Sequence, residues 1–460
     1  MKKILIVGMD GLQMSQIDQI QMPNLHKFKK RSFSFENHHS SFPTVTRTNV
    51  STIVTGVNPG THGILGNNMV FRDYNPNLIL PVMYKEMKEI QESGNKILLT
   101  PTLSDIAINN NMKLMVLNSG TSGNAIIQNT GILTDENMTF HREIPNKTGM
   151  FNDWPDQQIP DFDSNNYMIS ILEKLEPSNI PDISIIWFDE PDKSQHNFGI
   201  DSTESISALN FIDNLFSKIL DFISSNDYDP YIILISDHGY SKIKSTIDIT
   251  KELSEDFPGY LFAENGGSFN VYTREDQDFD PVILNEIISK PWTGPIIAGN
   301  NKVNFKGIHN YDLFFNSGIR NPELFVSMNW NKLNESKNIK GEMFSTNLIE
   351  GNGNHGSISP QEINNSLIIG GPGINEGNKT QIPSGNTDIL PTILKFLNLD
   401  IPNHIEGRIL HESFIENIEH EYDVLNIPLS SKTANGEYMQ EIQLSLYNNY
   451  KYLDYGYVEK

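Results

Sequence analysis

The chain has 460 residues, of which 37% are hydrophobic, and its formal net charge is −23 because 57 Asp and Glu residues outnumber 34 Lys and Arg residues. A field of this sign repels nucleic-acid backbones and anionic membranes, so we expect a small-molecule partner rather than a nucleic-acid polymer or a membrane. The chain contains no cysteine. This excludes disulfides and zinc–thiolate sites and leaves nitrogen and oxygen as the ligands for any transition metal.

The N-terminal segment reads MKKILIVGMDGL. Its basic start is typical of a secretory signal, but the apolar run that follows is too short for a signal peptide. No other segment approaches the roughly 18 uninterrupted apolar residues of a membrane span. We therefore expect a cytoplasmic protein.

Short apolar runs at 4–8, 113–118, 183–188, 231–236 and 366–371 predict strands that are buried on both faces of a mostly parallel sheet. Between them, apolar residues recur at three- and four-residue steps over 202–225 and predict a helix that Ser202 or Thr203 caps. A second helix is predicted at 387–399, with Asp388 and Pro391 in its first turn. The alternation of strands and helices predicts a doubly wound α/β fold, a mostly parallel central sheet flanked by helices.

The region 250–345 departs from this alternation. It is rich in Asn, Gly and Asp and has only modest apolar runs, so we expect a loop-rich insertion or cap. The main α/β domain is then predicted to span 1–420, with 421–460 as a C-terminal extension.

Acidic residues and histidines follow three of the predicted strands. They are Asp10 after the first run, Asp189, Glu190, Asp192 and His196 after the third, and Asp237 and His238 after the fourth. Ligands of open α/β sheets bind outside the carboxyl ends of the strands, so these side chains should meet in one crevice. Their charges would repel unless cations were bound. We expect two divalent metal ions, zinc first and manganese or iron as alternatives, with His355 of the glycine-rich stretch GNGNHGSIS as a further ligand.

The stretch SFPTVTRTNVSTIVTG at 41–56 surrounds Arg47 and Asn49 with hydroxyl side chains. Two interpretations are open, a capped helix start or a hydroxyl that acts as a nucleophile. A metal lowers the pKa of a bound threonine hydroxyl and makes the alkoxide accessible. Asn49 could donate to a developing oxygen on phosphorus. A hydroxyl, an amide donor and two metals are the parts that in-line displacement at phosphorus requires.

Taken in order, the motifs resemble the alkaline phosphatase superfamily, most closely its nucleotide pyrophosphatase/phosphodiesterase branch with the related phosphonoacetate hydrolases. The motifs are VGMDGL, MPNLHKF, SFPTVTRTNVSTIVTGVNPGTHGILGN, DEPDKSQHNFG, SDHGYS, NHGSISPQE and GNTDILPTIL. The resemblance runs from residue 1 to about 412 and is weakest through 250–345.

The resemblance implies that Thr46 is the nucleophile and forms a covalent phosphothreonine. One zinc would be bound by Asp192, His196 and His355, and the other by Asp10, Asp237, His238 and the Thr46 oxygen. Asn49 would hold a phosphoryl oxygen, and Arg47 would contact the phosphate or pair with a carboxylate. The family usually has Phe-Pro-Asn-His around this asparagine, whereas this chain has Arg47, Thr48, Asn49 and Val50. This difference from the family pattern does not affect the implied metal ligands, but the substrate and its leaving group stay unassigned.

The activity implied is two-metal hydrolysis of a phosphodiester or a nucleotide-type pyrophosphate. One alternative is a phosphonoacetate-type phosphonate hydrolase, for which Lys193 and Lys302 are available to hold a carboxylate. A phosphomonoesterase is another, and an inactive metal-binding scaffold is the alternative outside enzymes. His38 and His39 are interpreted as solvated loop residues, since neighbours on an extended chain point in opposite directions.

Overall fold

The computed structural model describes residues 2–133, 138–144, 161–226, 228–275, 277–300, 303, 305–331, 341–416 and 423–459. The strands are β1 (Ile4–Met9), β2 (Phe33–His39), β3 (Asn68–Val70), β4 (Ile79–Pro81), β5 (Leu114–Asn118), β6 (Met138–Phe140), β7 (Ile183–Phe188), β8 (Tyr231–Ile235), β9 (Ser241–Thr246), β10 (Tyr260–Glu264), β11 (Ser268–Thr273), β12 (Thr293–Ala298), β13 (His309–Asn310), β14 (Leu324–Met328), β15 (Glu342–Ser345), β16 (Gly353–Asn354), β17 (Asn364–Gly370), β18 (Lys379–Thr380), β19 (Ser384–Gly385), β20 (Val424–Lys432), β21 (Met439–Tyr447) and β22 (Tyr450–Glu459).

The helices, apart from short 3₁₀ turns, are α1 (Pro23–Lys30), α2 (Thr46–Thr55), α3 (Pro59–His62), α4 (Tyr84–Glu92), α5 (Leu103–Asn109), α6 (Ser122–Gln128), α7 (Asp161–Glu173), α8 (Asp192–Phe198), α9 (Thr203–Ser225), α10 (Ile249–Leu253), α11 (Val282–Ser289), α12 (Pro360–Ile363) and α13 (Ile389–Leu397). None of the helices in the described ranges combines the length and the apolar character that crossing a membrane requires.

The central sheet has the strand order β18-β2-β17-β8-β1-β7-β5-β6, with β19 also paired to β2. Neighbouring strands are parallel except where β17 meets β2 and β8. The prediction of a mostly parallel sheet is confirmed. At its centre β1 lies between β8 and β7, so the three strands that precede the acidic motifs are adjacent.

Both faces of the central sheet are buried, which explains why its strands are continuous apolar runs. Along β1, Ile4 and Ile6 join one hydrophobic cluster, while Leu5 and Val7 join the cluster on the opposite face. Successive side chains of a strand point to opposite faces. A polar residue within β1 would therefore be buried among apolar side chains on either face, and the first acidic residue, Asp10, comes directly after the strand.

Both predicted helices are present. The first is α9, and the side chain of Ser202 accepts a hydrogen bond from the Ser205 amide and caps it. The second is α13, which follows Asp388 at its N-cap and has Pro391 as its third residue. Proline is tolerated there because the first-turn amides have no partner within the helix.

The region 250–345 contains more regular structure than the sequence suggested. A five-stranded sheet of order β10-β11-β14-β12-β13 lies within it and packs around its own apolar cluster, which includes Phe269, Trp292 and Val326. The prediction that this region is loop-rich was wrong. Its strands, such as SFNVYT and LFVSM, are short and separated by polar turns, so they are hard to recognise in the sequence. Its role as an insertion or cap stays a prediction.

The C-terminal segment forms an antiparallel sheet of β20, β21 and β22. It packs on the rest of the chain, since the Trp330 ring donates to Gly456 O and Gly456 N donates to Ile358 O. The predicted boundary at 420/421 lies outside the described residues.

Candidate active site

The carboxyl ends of β1, β7 and β8 place the predicted acidic ligands side by side. Asp10 directly follows β1, Asp192 begins α8 four residues after β7, and Asp237 lies two residues after β8. The Asp192 amide donates to Asp10 O at 3.0 Å, which ties the first two loops together. One turn along α8, His196 faces the same side as Asp192, with Nε2 3.4 Å from Asp192 Oδ1.

His355 reaches this edge through a different pairing. It directly follows β16, which pairs antiparallel with β9, and β9 begins three residues after His238. The His238 and His355 rings are consequently stacked, with centroids 3.6 Å apart. Gly356 adopts φ 118°, and a Cβ there would lie 2.2 Å from Asn265 O, so the tight loop beside His355 requires glycine.

All six predicted metal ligands and Thr46 meet in two overlapping groups. In the first, Nε2 of His355 lies 3.4 Å from Asp192 Oδ1 and 3.2 Å from His196 Nε2. In the second, Nε2 of His238 lies 3.6 Å from Asp10 Oδ1, 3.2 Å from Asp237 Oδ2 and 3.3 Å from Thr46 Oγ1. Asp192 lies close enough to Asp10 and His238 to belong to both groups.

The hydrogen bonds of the three imidazoles fit a cation at each group. Each Nδ1 faces a backbone carbonyl: His196 at 3.1 Å from Gly353 O, His238 at 3.1 Å from Gly239 O, and His355 at 2.8 Å from Thr44 O. A carbonyl only accepts, so Nδ1 carries the hydrogen and Nε2 presents its lone pair. Metal-ligating histidines are usually held in this way. The Nε2 atoms of His196 and His355 face each other across 3.2 Å, and a bound cation would stabilise this arrangement of two lone pairs.

The carboxylates of this cluster also fit bound cations. Asp10 Oδ1 and Asp237 Oδ2 are buried and have no hydrogen-bond partner among the described residues. Burial, reinforced by the neighbouring carboxylates Asp237 and Asp192, raises the pKa of Asp10 well above its usual value. Burial also raises the pKa of Asp237. Burial and the adjacent imidazoles hold the pKa of His355 well below its usual value. Bound divalent cations would reverse this strain, so the residues fit the two predicted metals.

Further polar contacts, which the sequence motifs did not assign, orient the ligands. The Tyr240 hydroxyl donates to Asp192 Oδ1 at 2.6 Å, and the Trp187 ring donates to Asp10 Oδ2 at 3.2 Å. The Gly11 amide donates to Asp237 Oδ1 at 3.2 Å. Each metal-facing carboxylate is thereby fixed through one of its own oxygens. Tyr240 lies in the motif SDHGYS, three residues after Asp237. This spacing was the sequence feature that could have indicated its place beside the acidic cluster.

Buried Glu362 holds the loops of Thr44 and His355 together. Its carboxylate accepts from the Ser357 amide and hydroxyl at 2.6 and 2.7 Å, from the Ser359 hydroxyl at 3.0 Å and from the Thr44 hydroxyl at 3.3 Å. Burial raises the pKa of Glu362. This network fixes the backbone that leads to Thr46.

Thr46 is the first residue of α2, and its side chain does not cap that helix. Val45 occupies the N-cap position without a side-chain hydrogen bond, and Gly56 ends the helix at φ 67°. The Thr46 hydroxyl is instead within hydrogen-bond distance of His238 and lines a cavity. Because the positive end of the helix dipole lies at Thr46, negative charge is favoured there.

Asn49 does not occupy the position predicted for it. Its side chain is fully buried, and Nδ2 donates to the carbonyls of Ser41, Pro43 and Val45 at 3.0, 3.2 and 3.2 Å. Oδ1 accepts from the Ser41 amide and from Asn386. Since every polar atom of the amide is engaged behind the cavity, the predicted donation from Asn49 to a phosphoryl oxygen is wrong. Asn49 fixes the loop that leads into α2.

Asn67 is the amide that faces the cavity instead. Its Oδ1 accepts from the Arg47 amide at 3.2 Å, and no hydrogen bond of the described residues uses its Nδ2. Its backbone is fixed from the turn between β10 and β11, because Asn265 Oδ1 accepts from the Asn67 amide at 2.7 Å. Sequence reasoning passed over Asn67, although it lies in the quoted stretch HGILGN.

The cavity has a volume of about 410 Å³ and a polar lining. Arg47, Arg142 and Lys193 are its basic lining residues within the described ranges. Lys193, predicted without a known position, therefore reaches the crevice, where it lies 3.6 Å from Asp189. Lys302 lies outside the described residues.

His38 and His39 are buried on β2, so the prediction that they are solvated loop residues was wrong. His38 Nδ1 lies 2.9 Å from Ser384 Oγ, and Nε2 lies 3.1 Å from Asn386 Oδ1. Burial lowers the pKa of His38 to about 3. Asn386 in turn donates to Asp237 O, so His38 is linked through Asn386 to the backbone of Asp237.

Comparison with known proteins identifies the family. Residues 4–356 match the model of the type I phosphodiesterase / nucleotide pyrophosphatase family. The chain belongs to this family. Its fold is that of the alkaline phosphatase superfamily.

The curated relatives of this chain are distant. Ectonucleotide pyrophosphatase/phosphodiesterase family member 3 of Mus musculus is 24% identical over 62% of this chain and 30% of its own length. Family member 1 of Homo sapiens is 25% identical over 51% of this chain and 23% of its own length. The chain thus spans less than a third of the length of these relatives.

Among solved structures, murine ectonucleotide pyrophosphatase/phosphodiesterase 5 superposes with a TM-score of 0.65 at 17% identity. The match covers 87% of this phosphodiesterase-family chain and 96% of the murine one. That structure is an inactive threonine-to-alanine variant in complex with AMP.

Proposed function

We propose that this protein is a two-metal hydrolase of phosphodiesters or nucleotide-type pyrophosphates. The observation that carries the proposal is the position of the Thr46 hydroxyl, at the start of α2 and 3.3 Å from His238 Nε2, beside the clustered carboxylates and imidazoles. Family membership supports the same reaction class.

Asp192, His196 and His355 would hold one divalent ion, and Asp10, Asp237, His238 and the Thr46 oxygen the other. When bound, the ions lower the pKa of the hydroxyl and neutralise charge on the phosphoryl group. The ligand set of imidazoles and carboxylates without thiolate suits zinc, with manganese and iron as alternatives.

Thr46 attacks phosphorus in line with the leaving group. The Oγ–P bond forms while the bond from phosphorus to the leaving oxygen breaks, the hydroxyl proton passes to the leaving oxygen or to solvent, and the product is a covalent phosphothreonine. A water molecule then attacks the same phosphorus; its oxygen stays on phosphorus, the Oγ–P bond breaks, and a proton from the water restores the Thr46 hydroxyl. The free Nδ2 of Asn67 donates to a non-bridging oxygen, aided by the positive end of α2.

A phosphonate hydrolase of the phosphonoacetate type is the second candidate. It is favoured by Arg47 and Lys193 in the cavity wall, where they could hold a substrate carboxylate. Lys193 is already near Asp189, so its charge is less available to a substrate carboxylate. We therefore favour the phosphodiester or pyrophosphate hydrolase over the phosphonate hydrolase.

The test is a substrate panel on protein of known metal content. It compares bis(4-nitrophenyl) phosphate, 4-nitrophenyl phosphate and phosphonoacetate, before and after chelation and reloading with zinc, manganese or iron. We expect the diester to be hydrolysed fastest and the activity to disappear on chelation. Preference for the monoester or phosphonoacetate would select those alternatives. Failure on all three substrates with two metals bound would favour an inactive metal-binding scaffold.

A further inference from the structure

We propose that Arg47 forms a subsite for a second negative charge on the substrate, separate from the transferred phosphoryl group. This inference rests on the proposed function and narrows its substrate class to phosphodiesters or anhydrides that carry a carboxylate or a further phosphate.

The Arg47 guanidinium has no strong hydrogen-bond acceptor and no ion-pair partner among the described residues. No carboxylate of the described residues forms an ion pair with it, whereas Lys193 lies 3.6 Å from Asp189 and Arg142 lies 3.9 Å from Glu143. Arg47 Nε is buried without a hydrogen-bond partner among the described residues. Nη2 contacts Met83 Sδ at 3.3 Å, and a thioether is a weak acceptor. A guanidinium with unused donors at a cavity wall is available to an incoming anion.

Burial lowers the pKa of Arg47, and its attraction to Asp10, Asp192 and Asp237 opposes that shift. The guanidinium therefore lies within electrostatic reach of the metal ligands.

A second polar side chain with unused hydrogen-bonding atoms, Asn124, lies behind the part of the cavity wall that contains Arg47 and Gly120. Helix α6 packs against α2, and it carries Asn124, which is fully buried with neither Nδ2 nor Oδ1 hydrogen-bonded to a described residue. Asn124 lies directly behind Gly120 of the cavity wall, since a Cβ on Gly120 would be 3.7 Å from its Nδ2. Two independent side chains on this side thus have unused hydrogen-bonding capacity.

The transferred phosphoryl group has other partners. Its oxygens would meet the metals, the start of α2 and the free Nδ2 of Asn67. The end of the Arg47 side chain lies instead at Met83, which is the N-cap of α4. A planar guanidinium matches the two oxygens of a carboxylate or phosphate. The geometry therefore assigns Arg47 to a group attached to the reacting phosphorus rather than to the phosphoryl oxygens themselves.

The test uses two compounds that differ in one charge: carboxymethyl 4-nitrophenyl phosphate and its methyl ester. Both release 4-nitrophenolate from the same phosphorus. For the metal-loaded wild type we expect kcat/KM to be at least about 10-fold higher for the carboxylate, which is the size of one charge-assisted contact. Arg47→Gln should bring the ratio close to one, and Arg47→Lys should restore part of it. Arg31→Gln removes the same charge from an exposed position and should leave the ratio at the wild-type value.

A wild-type ratio near one would overturn the inference, as would a ratio that Arg47→Gln does not change. Equal losses on both substrates would assign Arg47 to the transferred group instead. Calorimetric binding of both compounds to metal-loaded Thr46→Ala needs no turnover, and the carboxylate should bind about 10-fold more tightly. If the protein binds the carboxylate more tightly than the methyl ester but the wild type hydrolyses neither, the proposed hydrolase activity is wrong and the Arg47 subsite still stands. Thermal unfolding of each variant confirms that it is folded.

Discussion

The two sides of the cavity are held in different ways. On the metal side, formed by Thr46 and the six metal-facing residues, each imidazole is fixed by a backbone carbonyl through Nδ1. On the Arg47 side, formed by Arg47 and Asn67, Arg47 Nε has no hydrogen-bond partner among the described residues, and no hydrogen bond of the described residues uses Asn67 Nδ2. The imidazoles of the metal side are therefore held in one orientation, whereas the unused donors of the Arg47 side are suited to selecting a ligand. We expect substitutions on the two sides to separate the reaction from the choice of substrate.

The largest expected effect concerns the metal side. Thr46→Ala should lower turnover by more than about 10³-fold, because it removes the nucleophile while leaving six metal-ligand side chains in place. Stopped-time assays measure turnover, and elemental analysis measures the metal content of each variant. Thr55→Ala is the matched control, since the Thr55 hydroxyl only donates to Ser51 O at the far end of α2. A Thr46→Ala protein with wild-type turnover would remove Thr46 as the nucleophile.

A second prediction separates the cavity wall from the structure behind it. Asn67→Ala should lower kcat/KM by about 10²-fold with little change in stability, because it removes one donor to the transition state. Asn49→Ala should lower the free energy of unfolding by about 3 kcal/mol, because it leaves buried groups of the Ser41–Val45 loop without partners. Kinetics and chemical denaturation check the pair. If Asn49→Ala were fully stable and inactive, Asn49 rather than Asn67 would be the substrate donor.

The smallest effect tests α2, which carries both Thr46 and Arg47. His62 supports this helix: its Nδ1 accepts from the Ile64 amide, and its Nε2 lies 3.1 Å from Thr52 Oγ1. Because Thr52 already donates to Thr48 O, the neutral ring with hydrogen on Nε2 satisfies every contact. Protonation of Nδ1 would break the bond from Ile64.

Burial lowers the pKa of His62 to about 3, so the unfolded chain takes up a proton at this ring first as the pH falls below about 6.5. The wild type should therefore lose about 2 kcal/mol of stability between pH 7.5 and 5 that His62→Gln does not lose. Denaturant unfolding of both proteins at the two pH values measures this difference. Parallel pH dependence in both would show that His62 is not held neutral.

The metal side could be read from the sequence because local patterns encode it. The buried strands β1 and β8 are each followed within two residues by an aspartate, so the positions of Asp10 and Asp237 at the carboxyl edge of the sheet were predictable from the apolar runs. The Arg47 side could not be read in this way. Asn67 is positioned by Asn265, which lies nearly 200 residues away in the turn between β10 and β11, and no periodicity of the sequence indicates such a contact. Asn49 was misassigned because spacing from Thr46 does not show that its amide folds back onto Pro43 and Val45.

We propose above that two cations bind beside the Thr46 hydroxyl. A crystal structure of the metal-loaded protein, with anomalous diffraction recorded at the absorption edge of the metal, would locate them. We expect two anomalous peaks, one contacted by Asp192, His196 and His355 and the other by Asp10, Asp237, His238 and Thr46. A single peak, or two peaks of which neither contacts the Thr46 oxygen, would show that the two-metal proposal is wrong.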